Sequence, residues 1–325
     1  MFSDTHCHLN RMQERGVDIS VLLHTLSAEK FPFVFDIGTR PGDFAGRVAL
    51  ARAACVPSGA ASGTLCPDSE ALPPFLHFSC GLWPDAETIA ARDESLRALE
   101  ADAASMLALA ARRAGSASAP DSASPEKPLF AAIGECGLDR WWNGPAAAQR
   151  MAQGTQSSAA DDGPGTTDTD GEEALFAAQI ELAGRLGLPF IVHSREAFAP
   201  TYSVIRSCGW FRGVIHCFSY GEREAAKFLD LGFFLSFPGN ITFGKKAADR
   251  ERISGLLRYV PRDRLLLETD APYLAPAPER GTVNTPQKIR YIYAAAAGFL
   301  GIPEEELAAL VLRNAVSAFS LQTPG

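Results

Sequence analysis

Short runs of apolar residues alternate along the chain with longer stretches in which apolar residues recur every three or four positions. The short runs are Phe2 to His8, Phe31 to Ile37, Phe75 to Leu82, Leu129 to Glu135, Pro189 to His193, Gly213 to His216, Phe233 to Phe237 and Leu265 to Thr269. Their length and continuous apolar character predict strands buried on both faces, as in a parallel sheet. The longer stretches, such as Glu172 to Leu186, Arg223 to Leu231 and Ala248 to Tyr259, predict amphipathic helices between them. Two more, Pro286 to Phe299 and Pro303 to Phe319, follow the last run and carry Pro early, where a helix tolerates it. Eight strand-helix units predict an α/β protein built as a (β/α)8 TIM barrel, with residues 1–325 as one domain.

Three stretches break the alternation. Residues 57–74, 115–128 and 143–171 are rich in Ala, Ser, Gly, Pro, Thr and Asp and poor in large apolar side chains. Such composition cannot offset the entropy of ordering, so they are expected to be disordered loop insertions. The third follows Glu135 on the side of the barrel where active sites lie, but a passive insertion is the plainer expectation.

At 325 residues and 46% hydrophobic content the chain can bury a large core. A formal net charge of −8, with Lys and Arg scattered, advertises no large basic nucleic-acid footprint. The seven cysteines form no CxxC pair, which fits free thiols in a reducing compartment. No charged and apolar leader opens the chain, and no apolar run reaches spanning length, so a cytoplasmic protein with no membrane contact is expected. A monomer is the expected assembly.

Candidate chemistry sits at the ends of the apolar runs: His6 and His8 in FSDTHCHL, Glu135 in AAIGECGLD, His193 in LPFIVHSR, His216 in GVIHCFS and Asp270 in LLLETDAP. His6 and His8, two apart on a strand, point the same way, and Cys7 between them points away. Cys136 and Cys217, also beside ligand candidates, are likewise expected to pack. Strand ends that share one barrel mouth would gather four imidazoles and two carboxylates, a donor set for one or two divalent cations. A metal-dependent hydrolase follows as the leading reading. His24, in a helical pattern, and His77, in mid-strand, are expected to pack or face solvent.

The segments DTHCHL, GECGLD, PFIVHSR, HCFS and LLLETDAPYLAP, in this order, resemble the TatD family of metal-dependent deoxyribonucleases among the amidohydrolase-like barrels. LFAAQIELAGRLGLPFIVHSREA and RGTVNTP resemble further family segments, so the likeness spans the chain apart from the three insertions. It implies a two-metal phosphodiesterase acting on DNA. His6, His8 and Asp270 would hold the first ion, Glu135 would bridge, and His193 and His216 would complete the second. Asp270 would also accept the proton of the attacking water, which makes Glu135 and Asp270 the catalytic pair. Mg²⁺ or Mn²⁺ would serve as the two ions, with Zn²⁺ suited to the imidazoles. Arg195, Arg280 and Asn284 would contact the substrate, and Arg140 is as well suited to an exposed structural role.

One departure stands out. Where the family shows a Gly-x-His-Pro-His type segment, this chain has Gly81-Leu82-Trp83-Pro84-Asp85. Trp83 is expected to pack at the rim, stacking on a base being the other role open to it. Two further readings compete with the nuclease: a related barrel hydrolase of another ester or amide, such as an aminoacyl-tRNA ester, and a non-catalytic metal- or nucleic-acid-binding protein. The bridging position held by Glu135 and the intact ligand set favour the nuclease.

Overall fold

The computed structural model describes residues 1–55, 72–115, 130–152 and 165–320. Eight strands lie in chain order in one sheet, each parallel to the next: β1 (Asp4–Cys7), β2 (Val34–Asp36), β3 (Leu76–Cys80), β4 (Ala132–Asp139), β5 (Phe190–Arg195), β6 (Gly213–Ile215), β7 (Phe234–Phe237) and β8 (Leu265–Leu267). The sheet closes on itself beyond β8, where His8 N–H donates to Ala271 O at 2.8 Å and Asp270 N–H to His6 O at 2.9 Å. Residues of β1, β4 and β7 are buried throughout, as expected of strands covered on both faces. This is the (β/α)8 barrel that the apolar pattern predicts.

Helices fill each return. After β1 come α1 (Leu9–Glu14) and α2 (Ile19–Ala28), after β2 comes α3 (Phe44–Cys55), and after β3 come α4 (Ala86–Ala90) and α5 (Arg92–Gly115). Next are α6 (Pro145–Ala152) and α7 (Thr169–Leu186), then singly α8 (Phe198–Cys208), α9 (Glu222–Asp230) and α10 (Ala247–Tyr259). The chain ends with α11 (Ile289–Leu300) and α12 (Glu304–Phe319). The limits of α7 have local causes. Asp168 accepts from Gly171 N at 2.8 Å at its start, and Gly187 stops it in the left-handed region at φ 65°.

Strand β4 runs four residues past the expected end at Glu135, which places that carboxylate within the strand. Gly137 is the reason. It takes φ 150° opposite His193, where any Cβ would collide with the His193 carbonyl oxygen, so glycine alone lets β4 and β5 stay paired to Asp139.

Below the sheet's upper end, Arg47 of α3 ties three strands together. Its guanidinium, 2% exposed, donates to Asp36 Oδ2 at 2.8 Å, to Asp36 O at 3.2 Å, to Asp43 Oδ1 at 2.9 Å and to Ser79 O. Asp36 Oδ1 accepts from Leu9 N at 2.8 Å, and the Ser79 hydroxyl donates to Gly134 O. The chain after β1 and the first residues of β4 are thus held by one buried network.

Of the three polar stretches, residues 57–71, 116–128 and 153–164 lie outside the described residues, but their margins differ from the expectation. Leu72 is buried, and Gly115 ends α5. Asn143 is 1% exposed, and α6 with the first turn of α7 falls inside 143–171. The Asn143 amide donates to Pro84 O at 2.7 Å and Glu172 Oε1 at 2.8 Å, while its Oδ1 accepts from Thr166 N at 3.0 Å. A residue buried by hydrogen bonds leaves no trace in an apolar pattern.

The two remaining histidines behave as expected. His77 in β3 lies among Phe33 and Phe130, at 4.7 and 4.6 Å between ring centroids, and burial holds it well below its ordinary pKa. His24 in α2 is half-buried, its Nδ1 2.7 Å from Ser20 O. Among the described residues no helix is long and apolar enough to cross a membrane.

Candidate metal centre

His6, His8, Glu135, His193, His216 and Asp270 lie together at the carboxyl ends of the strands, around a cavity of about 300 Å³. Glu135 stands in the middle. Its Oε2 is 3.3 Å from His6 Nε2 and 3.6 Å from His8 Nε2, while its Oε1 is 2.9 Å from His193 Nδ1 and 3.1 Å from His216 Nε2. Each carboxylate oxygen therefore faces one pair of imidazoles. Asp270 Oδ1 adds a second carboxylate, 3.8 and 3.7 Å from His6 and His8 Nε2. Asp270 sits in the left-handed region at φ 56°, a conformation that Asp tolerates and that its N–H bond to the end of β1 holds.

Neighbouring acceptors orient the rings. His8 Nδ1 lies 3.1 Å from Ile37 O, so its proton belongs there and its Nε2 lone pair faces the centre. His216 Nδ1 lies 3.3 Å from Glu268 Oε1 and His193 Nε2 lies 3.0 Å from Asp139 Oδ2, which turn the opposite ring nitrogens inward in the same way. Glu268 is 1% exposed and also accepts from Cys217 N at 2.6 Å.

Lone pairs then point at one another. His6 and His8 Nε2 are 3.2 Å apart, and His216 Nε2 faces a carboxylate oxygen. Such contacts are stable only with a cation or a proton between them, so the donor set fits divalent metal. Three overlapping groups, His6 with His8 and Glu135, Glu135 with His193 and His216, and His6 with His216 and Asp270, keep their donor atoms within 4.8 Å of one another.

The titration behaviour agrees. Burial opposes charge on Glu135, but the His216 charge and the contacts of His193, His216 and His6 hold its carboxyl well below the usual range. Burial likewise opposes charge on His216, yet Glu135 and Glu268 raise it well above its ordinary value. His193, also opposed by burial, is raised to about 9 by Asp139 and Glu135. His6 is lowered, by burial and by the neighbouring His216.

A pH dependence follows for the metal-free chain. His193 is raised from 6.5 to about 9, so the stability its proton contributes is full below about 6.5 and is lost as pH rises through about 9. Metal must displace that proton, so apparent affinity should rise as pH is raised from 6 to 9, with proton release on binding. Calorimetric titration with Mn²⁺ in buffers of different ionisation enthalpy measures both quantities; affinity flat across that range, without proton release, would remove His193 from the ligands.

The other residues expected at the site fall in different places. Arg195 lines the cavity with its guanidinium 5.0 Å over the Trp141 ring. Arg280 is exposed and lies 4.0 Å over Phe243, away from the cavity lining. Asn284 is fully buried, its amide donating to Thr269 O at 2.9 Å and Tyr273 O at 2.6 Å, so it braces the loop that carries Asp270. Arg140 pairs with Glu172 and with Glu173, at 2.6 Å for the latter. Cys7 and Cys136 are buried, and burial pushes both thiols well up. Cys217, by contrast, lines the cavity, and burial with Asp270 and Glu268 keeps it protonated. Glu268 and Asp139 did not figure among the expected site residues. Their signals are the ETD and GLD segments, in which each carboxylate lies close along the chain to a ligand candidate.

Comparison with known proteins follows the same line. The family model described as TatD related DNase matches residues 3–320. The uncharacterized metal-dependent hydrolase YcfH of Escherichia coli (strain K12) is 40% identical over 155 residues, which are 46% of this chain and 56% of that protein. The chain thus spans little more than half the length of that curated relative. The 3'-5' ssDNA/RNA exonuclease TatD of Klebsiella pneumoniae (strain 342) is 28% identical over 286 residues, covering 86% of this chain and 92% of the other. Among solved structures, YJJV, a TatD homolog from Escherichia coli K12, superposes with a TM-score of 0.66 at 23% identity, over 98% of this chain and 97% of that one, a likeness of fold.

Proposed function

Because the chain belongs to the TatD related DNase family, we propose that it is a metal-dependent hydrolase that cleaves phosphodiester bonds of DNA. One observation carries this reading: the two oxygens of Glu135 each face a separate pair of imidazoles, the arrangement a carboxylate needs to bridge two cations. His6, His8 and Asp270 would hold the first ion, His193 and His216 the second, with Glu135 shared. Two divalent ions, Mg²⁺ or Mn²⁺ in the cell with Zn²⁺ suited to the imidazoles, would supply Lewis acidity and neutralise charge on the phosphate.

The chain's own groups do the rest. Asp270 lines the cavity beside His6 and His8 and would take the proton of the attacking water. Arg195 reaches the same cavity and would pair with a phosphate oxygen, whereas Arg280 and Asn284 would act only by shaping the loop after β8. Glu268 and Asp139 keep the rings of His216 and His193 in register. All six ligand candidates come from one chain, so a monomer suffices, and residues 1–325 form one hydrolase barrel with the polar stretches as insertions. Free cysteines among the described residues suit the cytoplasm.

The decisive assay uses end-labelled single- and double-stranded DNA with Mg²⁺, with EDTA, and alongside an aminoacyl-tRNA. Metal-dependent cleavage of DNA is expected. Intact DNA together with release of the amino acid would move the substrate to another ester.

A further inference from the structure

We propose that Trp83 forms one wall of a nucleobase subsite beside the His193 side of the centre, so that the bond cleaved belongs to a nucleotide whose base stacks on that indole. The inference rests on the phosphodiesterase reading and specifies how its substrate is held.

Trp83 lines the cavity, and its ring stands 6.0 Å from the His193 ring at 68°. Its backbone is fixed on both sides. Gln179, fully buried, accepts from Leu82 N at 2.8 Å and donates to Leu82 O at 3.0 Å, while Trp83 N donates to Thr39 O at 2.9 Å. On the far side Asn143 donates to Pro84 O at 2.7 Å, and Asp85 caps α4 by accepting from Thr88 N at 2.8 Å. Two buried polar side chains from another part of the barrel are thus spent on the backbone of a three-residue segment whose middle side chain is only half-buried. An indole held this rigidly loses little entropy when a ring settles on it.

A comparison with Trp210 separates this role from rim packing. Trp210 Nε1 donates to Leu188 O at 2.8 Å, as packed tryptophans usually do. The Trp83 indole Nε1–H has no partner among the described residues, so it remains available to a ligand. Asp85 is engaged at the helix start, so its carboxylate is not offered to the cavity. Trp142, just after β4, and Arg195, at the end of the neighbouring β5, line the same cavity. Aromatic faces beside a cation are how single-stranded nucleic acid is bound without reading its sequence. At about 300 Å³ the cavity lies at the small end of ligand sites, room for one nucleotide unit.

The test compares single-stranded oligonucleotides whose terminal nucleotides carry a base or are tetrahydrofuran abasic analogues, using wild type, W83F, which keeps a ring, and W83L, which keeps only bulk. Wild type should prefer the base-bearing end roughly tenfold in kcat/KM, W83F should keep most of that ratio, and W83L should bring it close to one. Equal treatment of both substrates by wild type, or an unchanged ratio in W83L, overturns the subsite while the nuclease reading stands. Should wild type cleave neither, the nuclease reading fails, and calorimetry decides on the subsite. Tighter binding of dAMP than of 2-deoxyribose 5-phosphate, lost in W83L, supports it, and equal binding overturns it.

Discussion

Glu135→Ala is expected to abolish hydrolysis and to lower the metal that the protein retains, with the fold kept. The loss should far exceed the roughly 10- to 100-fold that follows removal of a group merely supporting a ligand, because Glu135 touches all four imidazoles. His216 keeps Glu268 and His193 keeps Asp139 in the variant, so the rings should stay oriented. Initial rates, metal content after dialysis and circular dichroism test the three parts. Undiminished turnover would sink the bridging role.

A second large effect is expected far from the chemistry. Arg47→Met leaves Asp36 without its ion-pair partner at a fully buried site, where burial already pushes the carboxyl up. Breaking such a pair costs about 3–5 kcal/mol, which for a chain of this size is a fall in Tm on the order of 10 °C. The double variant Arg47→Met with Asp36→Asn should lose less than the sum of the two single losses. Thermal unfolding of the three variants measures this. An unchanged Tm in Arg47→Met would show that the network contributes nothing. Because Asp36 also receives Leu9 N, the segment just after His8 should lose order first, and hydrogen exchange at Leu9 would report it.

The fold was legible because a barrel's strands are covered on both faces and so read as unbroken apolar runs; the runs at Phe190 and Phe234 begin within a residue of the strands. The six ligand candidates were legible for a related reason, since each ends or follows such a run. What escaped notice acts through space. Glu268 meets His216 across more than fifty residues of chain, and neither composition nor period encodes that contact. Asn284 stands in a segment suggestive of phosphate, but its amide is consumed by Thr269 O and Tyr273 O. The continuation of β4 to Asp139 depended on a close backbone approach at Gly137, visible only once β5 lies beside it.

Residues 143–171 were expected to be a passive, disordered insertion, yet Asn143 and Gly144 meet Thr166. Asn143 Oδ1 accepts from Thr166 N, and Gly144 N donates to Thr166 O at 2.7 Å. This pinch makes a neck, and the brace on Pro84 lies on the barrel side of it. Chain length beyond the neck can then change at little thermodynamic cost, since doubling a loop adds only about 0.6 kcal/mol of closure entropy. The same neck is a natural splice point: a fluorescent domain or affinity handle grafted between residues 152 and 165 should leave the strands in register, since the bonds of Asn143 and Gly144 to Thr166 close the segment off.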